Sequence, residues 1–400
     1  MMLLSRVNGA FWLLWLVLLF ISYLYSYDDP SSIFYNPHRA YRQRFSRVRA
    51  TEATAFLQNP LPKADVAKAH ERLLCIGVPS VNRTSRSFLP YTIATLTDTL
   101  TPEERATIHL VVLLANRPSE NHFAYGQAWL EGIADEVLIY DQAENPAYRT
   151  IPFDLYNGQA RGDERVENMR LDHSALVETC RKHGSSYFAL VEDDIIASRD
   201  WFQKFKLGMD SLEKKGTKSN KDWIYLRLFY SEIFMGWNKE EWPLYLKNIF
   251  LVYAAAFSIL LFGRRCFNAT QRHTILMALV LGVWMPAAIG LYFAAGRLSV
   301  SRLNLFPSKV REMPRYGCCA QGMVFPRRHL EALQNLFRDP PYDFPGDMIL
   351  EGFSDSHGLA KWALIPSVFQ HVGLSESSGG AQRAEVWNFG FERQHGGPEA

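Results

Sequence analysis

The longest uninterrupted apolar pattern in the chain lies at its start, where no residue from Val7 to Tyr27 is charged and Phe11 to Phe20 is continuously apolar. A block of that length crosses a bilayer. A cleavable signal peptide is the competing reading, but its apolar core is shorter and is followed by small residues. Here the exit is Tyr23-Leu24-Tyr25-Ser26-Tyr27, an aromatic belt suited to a membrane interface, and an anchor is favoured. Arg6 before the block and Asp28-Asp29 after it place the N-terminus in the cytosol. Two more uncharged stretches, Asn248 to Gly263 and Thr274 to Gly296, flank a connector carrying Arg264, Arg265, Arg272 and His273. They read as a membrane hairpin with a cytosolic loop, which returns both flanks to the lumen; a buried pair of core helices is the alternative. Trp242, Leu244, Tyr245 and Leu246 extend the short first arm, and Lys247 can snorkel.

Between these membrane segments the periodicity changes. Arg72 to Val78 reads as a buried strand, followed by a polar turn and a helix beginning near Pro90-Tyr91. Thr107 to Ala115 and Glu136 to Tyr140 read as further strands, with His122 to Ile133 helical between them. Arg170 to His183 is an amphipathic helix leading into the strand Tyr187 to Val191, and Trp223 to Phe229 continues the sheet with its aromatics in the core. Strands alternating with helices predict an α/β domain whose parallel sheet is covered on both faces, with the ligand site at the C-terminal strand ends.

Glu192-Asp193-Asp194 falls at such an end. Adjacent carboxylates beside an apolar strand repel one another and lose hydration, so they point to a neutralising cation, and oxygen donors suit Mn²⁺ or Mg²⁺. An acidic loop capping the helix near Asp200-Trp201 is the bland alternative. Pro79, Ser80 and Arg83 follow the first strand, where such folds receive a nucleotide; Arg83 can meet uracil or phosphate, or can be a solvated surface charge. The segment Gly317 to Gly322 offers either close backbone approach to a ligand or tight packing.

Charge and cysteine content narrow the classes. With 43 basic and 41 acidic residues, a net charge of +2 and no long single-sign run, the chain lacks a nucleic-acid footprint. Its five cysteines have no C-x-x-C spacing; adjacent Cys318 and Cys319 would strain a mutual bond, so any bridge from them reaches Cys75 or Cys180 more readily, and the pairing stays open. Of two sequons, Asn82-Arg83-Thr84 is luminal and Asn268-Ala269-Thr270 cytosolic under this topology, so only the first can carry a glycan.

The segments Ile76-Gly77-Val78-Pro79-Ser80-Val81, Leu190-Val191-Glu192-Asp193-Asp194-Ile195-Ile196 and Pro366-Ser367-Val368-Phe369-Gln370-His371-Val372-Gly373 resemble, in the same order, parts of the N-acetylglucosaminyltransferase IV family. The chain departs from it by the inserted hairpin. An N-terminal anchor plus a tandem transmembrane insertion resembles the Golgi transferases that add N-acetylgalactosamine to glycosylphosphatidylinositol (GPI) anchors. That resemblance implies a GT-A (Rossmann-like) domain interrupted by the hairpin, with 1–6 as cytosolic tail, 7–27 as anchor and 28–70 as luminal stem. The first part of the domain is then 71–241, the hairpin 242–298 with loop 264–273, and the second part 299–400. It further implies a multi-pass Golgi membrane protein with a luminal catalytic domain, UDP-N-acetylgalactosamine as donor, a mannose of the GPI core glycan as acceptor, and an inverting reaction.

Roles follow from the resemblance. Asp194 holds the metal, Glu192 and Asp193 meet ribose or sugar hydroxyls, and His371 approaches the metal or the diphosphate, its alternative being a core residue. An inverting transfer needs a general base. Asp347, ahead of an apolar helix, is the choice, with Glu351 one turn later in reserve; an ordinary N-cap is the other reading of Asp347. A transferase placing N-acetylglucosamine on N-glycans is the nearest alternative function. A non-catalytic adaptor or transporter subunit is the alternative of another class, opposed by the intact triplet and by hairpin arms without intramembrane acidic residues.

Overall fold

The computed structural model describes residues 2–58, 72–83, 86–140, 145–152, 162–219, 221–266, 271–303, 309–313, 317, 320–373 and 386–395. The chain divides into two compact units, one made of Met1–Arg42 and Glu232–Pro307, the other of Gln43–Ser231 and Ser308–Ala400.

The first unit contains three helices long and apolar enough to cross a membrane, Leu4–Tyr25, Glu232–Arg265 and His273–Ala295. The indole N–H of Trp15 donates to the Ala287 carbonyl at 2.9 Å, that of Trp284 donates to the Asn8 side chain at 2.9 Å, and Phe11 stacks on Trp284 at 5.1 Å. Val280–Trp284 widens into a π-helical turn. Pro286, two residues on, has no N–H to continue the ladder, a known cause of such a defect.

In the second unit the strands are β1 (Leu74–Ser80), β2 (Ile108–Leu114), β3 (Glu136–Tyr140), β4 (Arg149–Ile151), β5 (Tyr187–Leu190), β6 (Ile195–Ala197), β7 (Trp223–Arg227), β8 (Val310–Glu312), β9 (Met323–Pro326), β10 (Ala360–Leu364) and β11 (Phe369–His371). Nine of them form one sheet in the order β4-β3-β2-β1-β5-β9-β7-β10-β8, and β6 and β11 form a separate pair. The expectation of a parallel sheet is corrected in part: β9 runs antiparallel to both β5 and β7, and β8 antiparallel to β10. Every residue of β2 is buried, as a central strand covered on both faces requires.

Alternate residues of β1 and β2, Ile76, Val78, Leu110 and Val112, share a core with Leu89, Ile93 and Leu96 of the helix Leu89–Thr97 and with Trp201 and Phe205 of the helix Trp201–Ser219. The opposite face meets the helix Glu164–His183, to which a disulfide from Cys75 to Cys180 ties β1. That bond supplies a pairing that the sequence leaves open; Cys318 and Cys319 lie outside the described residues. Closing 105 residues of sequence into one loop is worth about 4 to 5 kcal/mol of denatured-state entropy in the simplest chain model.

Two further elements differ from the sequence reading. Of the expected helix His122 to Ile133 only Ala128–Ile133 forms. The stretch before it is drawn elsewhere, since the Ala124 N–H is taken by the His122 ring and the Phe123 N–H by the Asn82 side chain. The segment read as stem contributes the helix Phe45–Gln58 to this unit, through Arg49. That fully buried guanidinium donates to both carboxylate oxygens of Asp98 at 2.8 Å and, from Nε, to the Ala197 carbonyl at the end of β6.

Candidate active site

Strand β5 hands the chain to Glu192-Asp193-Asp194, and β6 begins at once with Ile195. The triplet therefore forms a link between two strands and does not cap the helix that starts at Trp201. Strand β11 pairs antiparallel with β6, His371 opposite Ile195, and the Val372 N–H donates to the Asp194 carbonyl at 2.9 Å. This pairing carries the Phe-Gln-His segment from the far end of the chain onto the triplet. Thr92 fixes the link from below: its Oγ1 lies 2.8 Å from the carbonyl oxygens of both Asp193 and Ile195 and accepts the Ile195 N–H.

The side chains form a dense set of charges. Asp193 accepts from Ser80 Oγ at 2.6 Å on one oxygen and from Arg83 Nη2 at 2.6 Å on the other. Asp194 Oδ2 lies 2.9 Å from the same Arg83 nitrogen and 3.0 Å from His371 Nε2. Burial pushes all three carboxyls up. For Asp194, buried almost completely, His371 and Arg83 outweigh burial and hold it below the usual range. Asp193 stays raised, and Glu192 is pushed up to about 8 by burial and by the charges of Asp194 and Asp347. His371, lowered by burial, is raised more strongly by Asp194.

Glu192, Asp194 and His371 each bring one ligand atom to within 4.8 Å of the others. Asp194 Oδ1, His371 Nδ1 and Arg83 Nε are buried without a partner among the described residues, a costly state for polar groups. Two carboxylates and an imidazole are a donor set that Mn²⁺ accepts. These residues therefore fit a divalent metal. Gly373 keeps the space open, since a Cβ there would come within 2.1 Å of Asp194 Oδ2.

A second group, His109, Glu136 and His183, lies at the opposite ends of the strands. Arg72 Nη1 faces Nδ1 of both rings, at 2.9 and 3.2 Å. A guanidinium only donates, so both Nδ1 atoms accept and both Nε2–H groups point at Glu136. The lone pairs a metal would need there are protonated, and the group works as a clasp between β2, β3 and the helix Glu164–His183.

The proposed bases occupy different surroundings. Pro345 stands at the N-cap of the helix Gly346–Ser356 and provides no side-chain cap; Asp347 sits within the first turn, half-buried, with its charge felt at Glu192. Asp347 is thus not the N-cap. Glu351 is fully engaged: one oxygen accepts from the Tyr225 hydroxyl and from Arg227 Nη2 at 3.1 Å, the other from Lys361 Nζ at 2.7 Å. Gly317 packs beside that network and Gly322 against Phe369, so both serve close packing. Pro79 remains inside β1 beside Ser80 and makes no side-chain polar contact.

Two residues escaped the sequence reading. His122, almost fully buried, accepts from the Ala124 N–H on Nδ1, which leaves Nε2–H to donate to Ser80 Oγ at 3.1 Å, and Ser80 then donates to Asp193. Asn82 staples the loop that carries Arg83: its amide donates to the Asn121 carbonyl at 2.6 Å and its oxygen accepts the Phe123 N–H at 3.0 Å. A lone His in a run read as helix and an Asn noticed only as a sequon gave no such signal. Asn82→Ala is expected to raise the donor KM about tenfold, the worth of one to two hydrogen bonds. Thr84→Ala, which removes the same sequon, is expected to leave KM unchanged; steady-state kinetics of the two variants checks this.

Three buried histidines work against this unit in acid, while the raised carboxyls of Glu192 and Asp172 shed their burial cost as they protonate and work the other way. Burial holds His122, His173 and His395 at about 4. A histidine depressed in the folded state stabilises above its unfolded value near 6.5, and that contribution drains as pH falls from 6.5 to 4. At pH 5 each is expected to have cost roughly 2 kcal/mol. Melting midpoints at pH 7 and pH 5 measure the slope, and His173→Phe should flatten it by one share.

The fold and site define an α/β protein with three helices able to cross a membrane and a carboxylate and imidazole cluster at the C-terminal strand ends. The family GPI-N-acetylgalactosamine transferase PGAP4 matches residues 74–370, and the chain belongs to that family of glycosyltransferases. No curated protein matches the chain.

Proposed function

We propose that the protein transfers N-acetylgalactosamine from UDP-N-acetylgalactosamine to a mannose of the GPI core glycan, with inversion, in a GT-A domain facing the Golgi lumen. The observation that carries the chemistry is the convergence of Glu192, Asp194 and His371 beside Arg83 at the ends of β1 and β5. Arg83 binds the donor diphosphate, and Pro79 and Ser80 line the nucleotide side with Asp193 held by Ser80 and Arg83. Glu192, Asp194 and His371 would hold Mn²⁺ or Mg²⁺, which would supply positive charge against the departing diphosphate. Asp347 takes the proton of the acceptor hydroxyl as that oxygen bonds to the anomeric carbon and the bond to UDP breaks. Glu351, with both oxygens engaged, is better suited to orienting Tyr225 and Arg227.

A disulfide belongs to an oxidising compartment, which supports a luminal second unit, and Arg264 and Arg265 in the last turn of the second apolar helix support a cytosolic connector. The family match favours a GPI acceptor over an N-glycan.

The test uses detergent-purified full-length protein with a GPI acceptor, comparing UDP-N-acetylgalactosamine with UDP-N-acetylglucosamine, with and without chelator. Chelator-sensitive transfer of N-acetylgalactosamine alone is the expected result. Transfer of N-acetylglucosamine to N-glycans would overturn the acceptor and donor assignment. No turnover from folded protein would favour a non-catalytic role.

A further inference from the structure

Most large apolar side chains of the second unit are buried, yet Tyr342, Phe344 and Met348 are 42, 46 and 51% exposed within seven residues of sequence. They bracket Asp347. From Phe344 to Asp347 the chain can span at most about 10 Å. The segment that presents them is tightly held. Asp343, between the two aromatic residues, accepts from Arg170 Nη2 at 3.0 Å on one oxygen and from the Asp163 N–H at 3.1 Å on the other. Pro340, Pro341 and Pro345 restrict its backbone. The Tyr342 hydroxyl rests over Gly352, where an added Cβ would come within 2.3 Å of it, and the Tyr342 and Phe344 rings meet edge to face at 5.4 Å.

Two aromatic rings fixed in place at the surface are costly for solubility and gain nothing in the core. Each ring offers a flat apolar face of about the size of a pyranose, whose axial C–H groups pack on aromatic rings while its hydroxyls stay free, and the edge-to-face pairing holds the two faces at a fixed angle. Nearness to Asp347 along the chain decides the occupant: a saccharide lying on either ring is within reach of the residue that takes the proton. We infer that Tyr342 and Phe344, with Met348 at the rim, form the platform on which the acceptor saccharide stacks; this rests on the reading of Asp347 and of the metal cluster given above. The rings bind and orient the acceptor and take no part in bond making. They set the acceptor KM and leave the donor site alone.

The experiment compares wild type, Phe344→Ala, Tyr342→Ala, Phe344→Trp and Asp194→Ala as full-length protein in detergent. Transfer is measured to a delipidated GPI core glycan and to the same glycan on its lipid, alongside UDP release without acceptor. Expected are a tenfold or greater rise in acceptor KM for both alanine variants with either acceptor, recovery in Phe344→Trp, and unchanged donor KM and UDP release. A rise confined to the lipid-linked acceptor would overturn the platform and assign the patch to membrane contact. Unchanged acceptor KM, or equal loss of donor binding, would overturn it as well. If Asp194→Ala transfers as well as wild type, the active-site reading itself has failed, whatever the rings do.

Discussion

Asp194→Ala is expected to lower sugar transfer by about three orders of magnitude, because it removes the one carboxylate that Arg83, His371 and the candidate metal share. Arg83 and His371 converge on Asp194 Oδ2, and its other oxygen is the orphaned buried acceptor. The loss should come with loss of bound Mn²⁺, read by metal analysis after gel filtration. Asp194→Asn, which preserves volume, should fail equally in metal binding while melting near wild type. Retained activity with metal absent would show that Arg83 and His371 alone neutralise the departing group.

The second large effect is expected at Asp347. Asp347→Asn keeps the side-chain volume and its place in the first turn of the helix but cannot accept a proton, so kcat should fall by about 10²- to 10⁴-fold. Donor and acceptor KM should change little, since only a transition-state interaction is lost. Glu351→Gln separates the two acids. It weakens hydrogen bonds to Tyr225, Arg227 and Lys361, so its expected signature is a lowered melting midpoint with a smaller change in kcat. A kcat loss at Glu351 matching that at Asp347 would exchange their roles.

Much of this architecture was legible along the chain, and the reason is locality. The apolar spans, the strands β1, β2, β3 and β5 and the position of the carboxylate triplet are each encoded within a few consecutive residues. What was illegible depends on distant partners. Four residues of β9 enter the sheet between β5 and β7, and nothing in Met323–Pro326 states that they run antiparallel to both. The β6 and β11 pair joins residues more than 170 positions apart, as the bond from His371 to Asp194 shows. Likewise, Cys75 finds Cys180 through the packing of a helix on a strand, which cysteine spacing does not reveal.

The placement of β9 also sets an order of events during synthesis. Strand β5 is complete at Leu190 and β7 at Arg227, yet the strand that joins them begins at Met323, after the segments Glu232–Arg265 and His273–Ala295 have been made. At about 5 to 20 residues per second, the ribosome leaves these two edges waiting several seconds or more for their shared neighbour. During that interval β5 keeps one side open and β7 lacks both its neighbours, since β10 is also still to come, and the apolar helices are made before the keystone. Variants that slow insertion of either helix should therefore burden chaperones and lower yield, even though none of their substitutions touches the catalytic sheet.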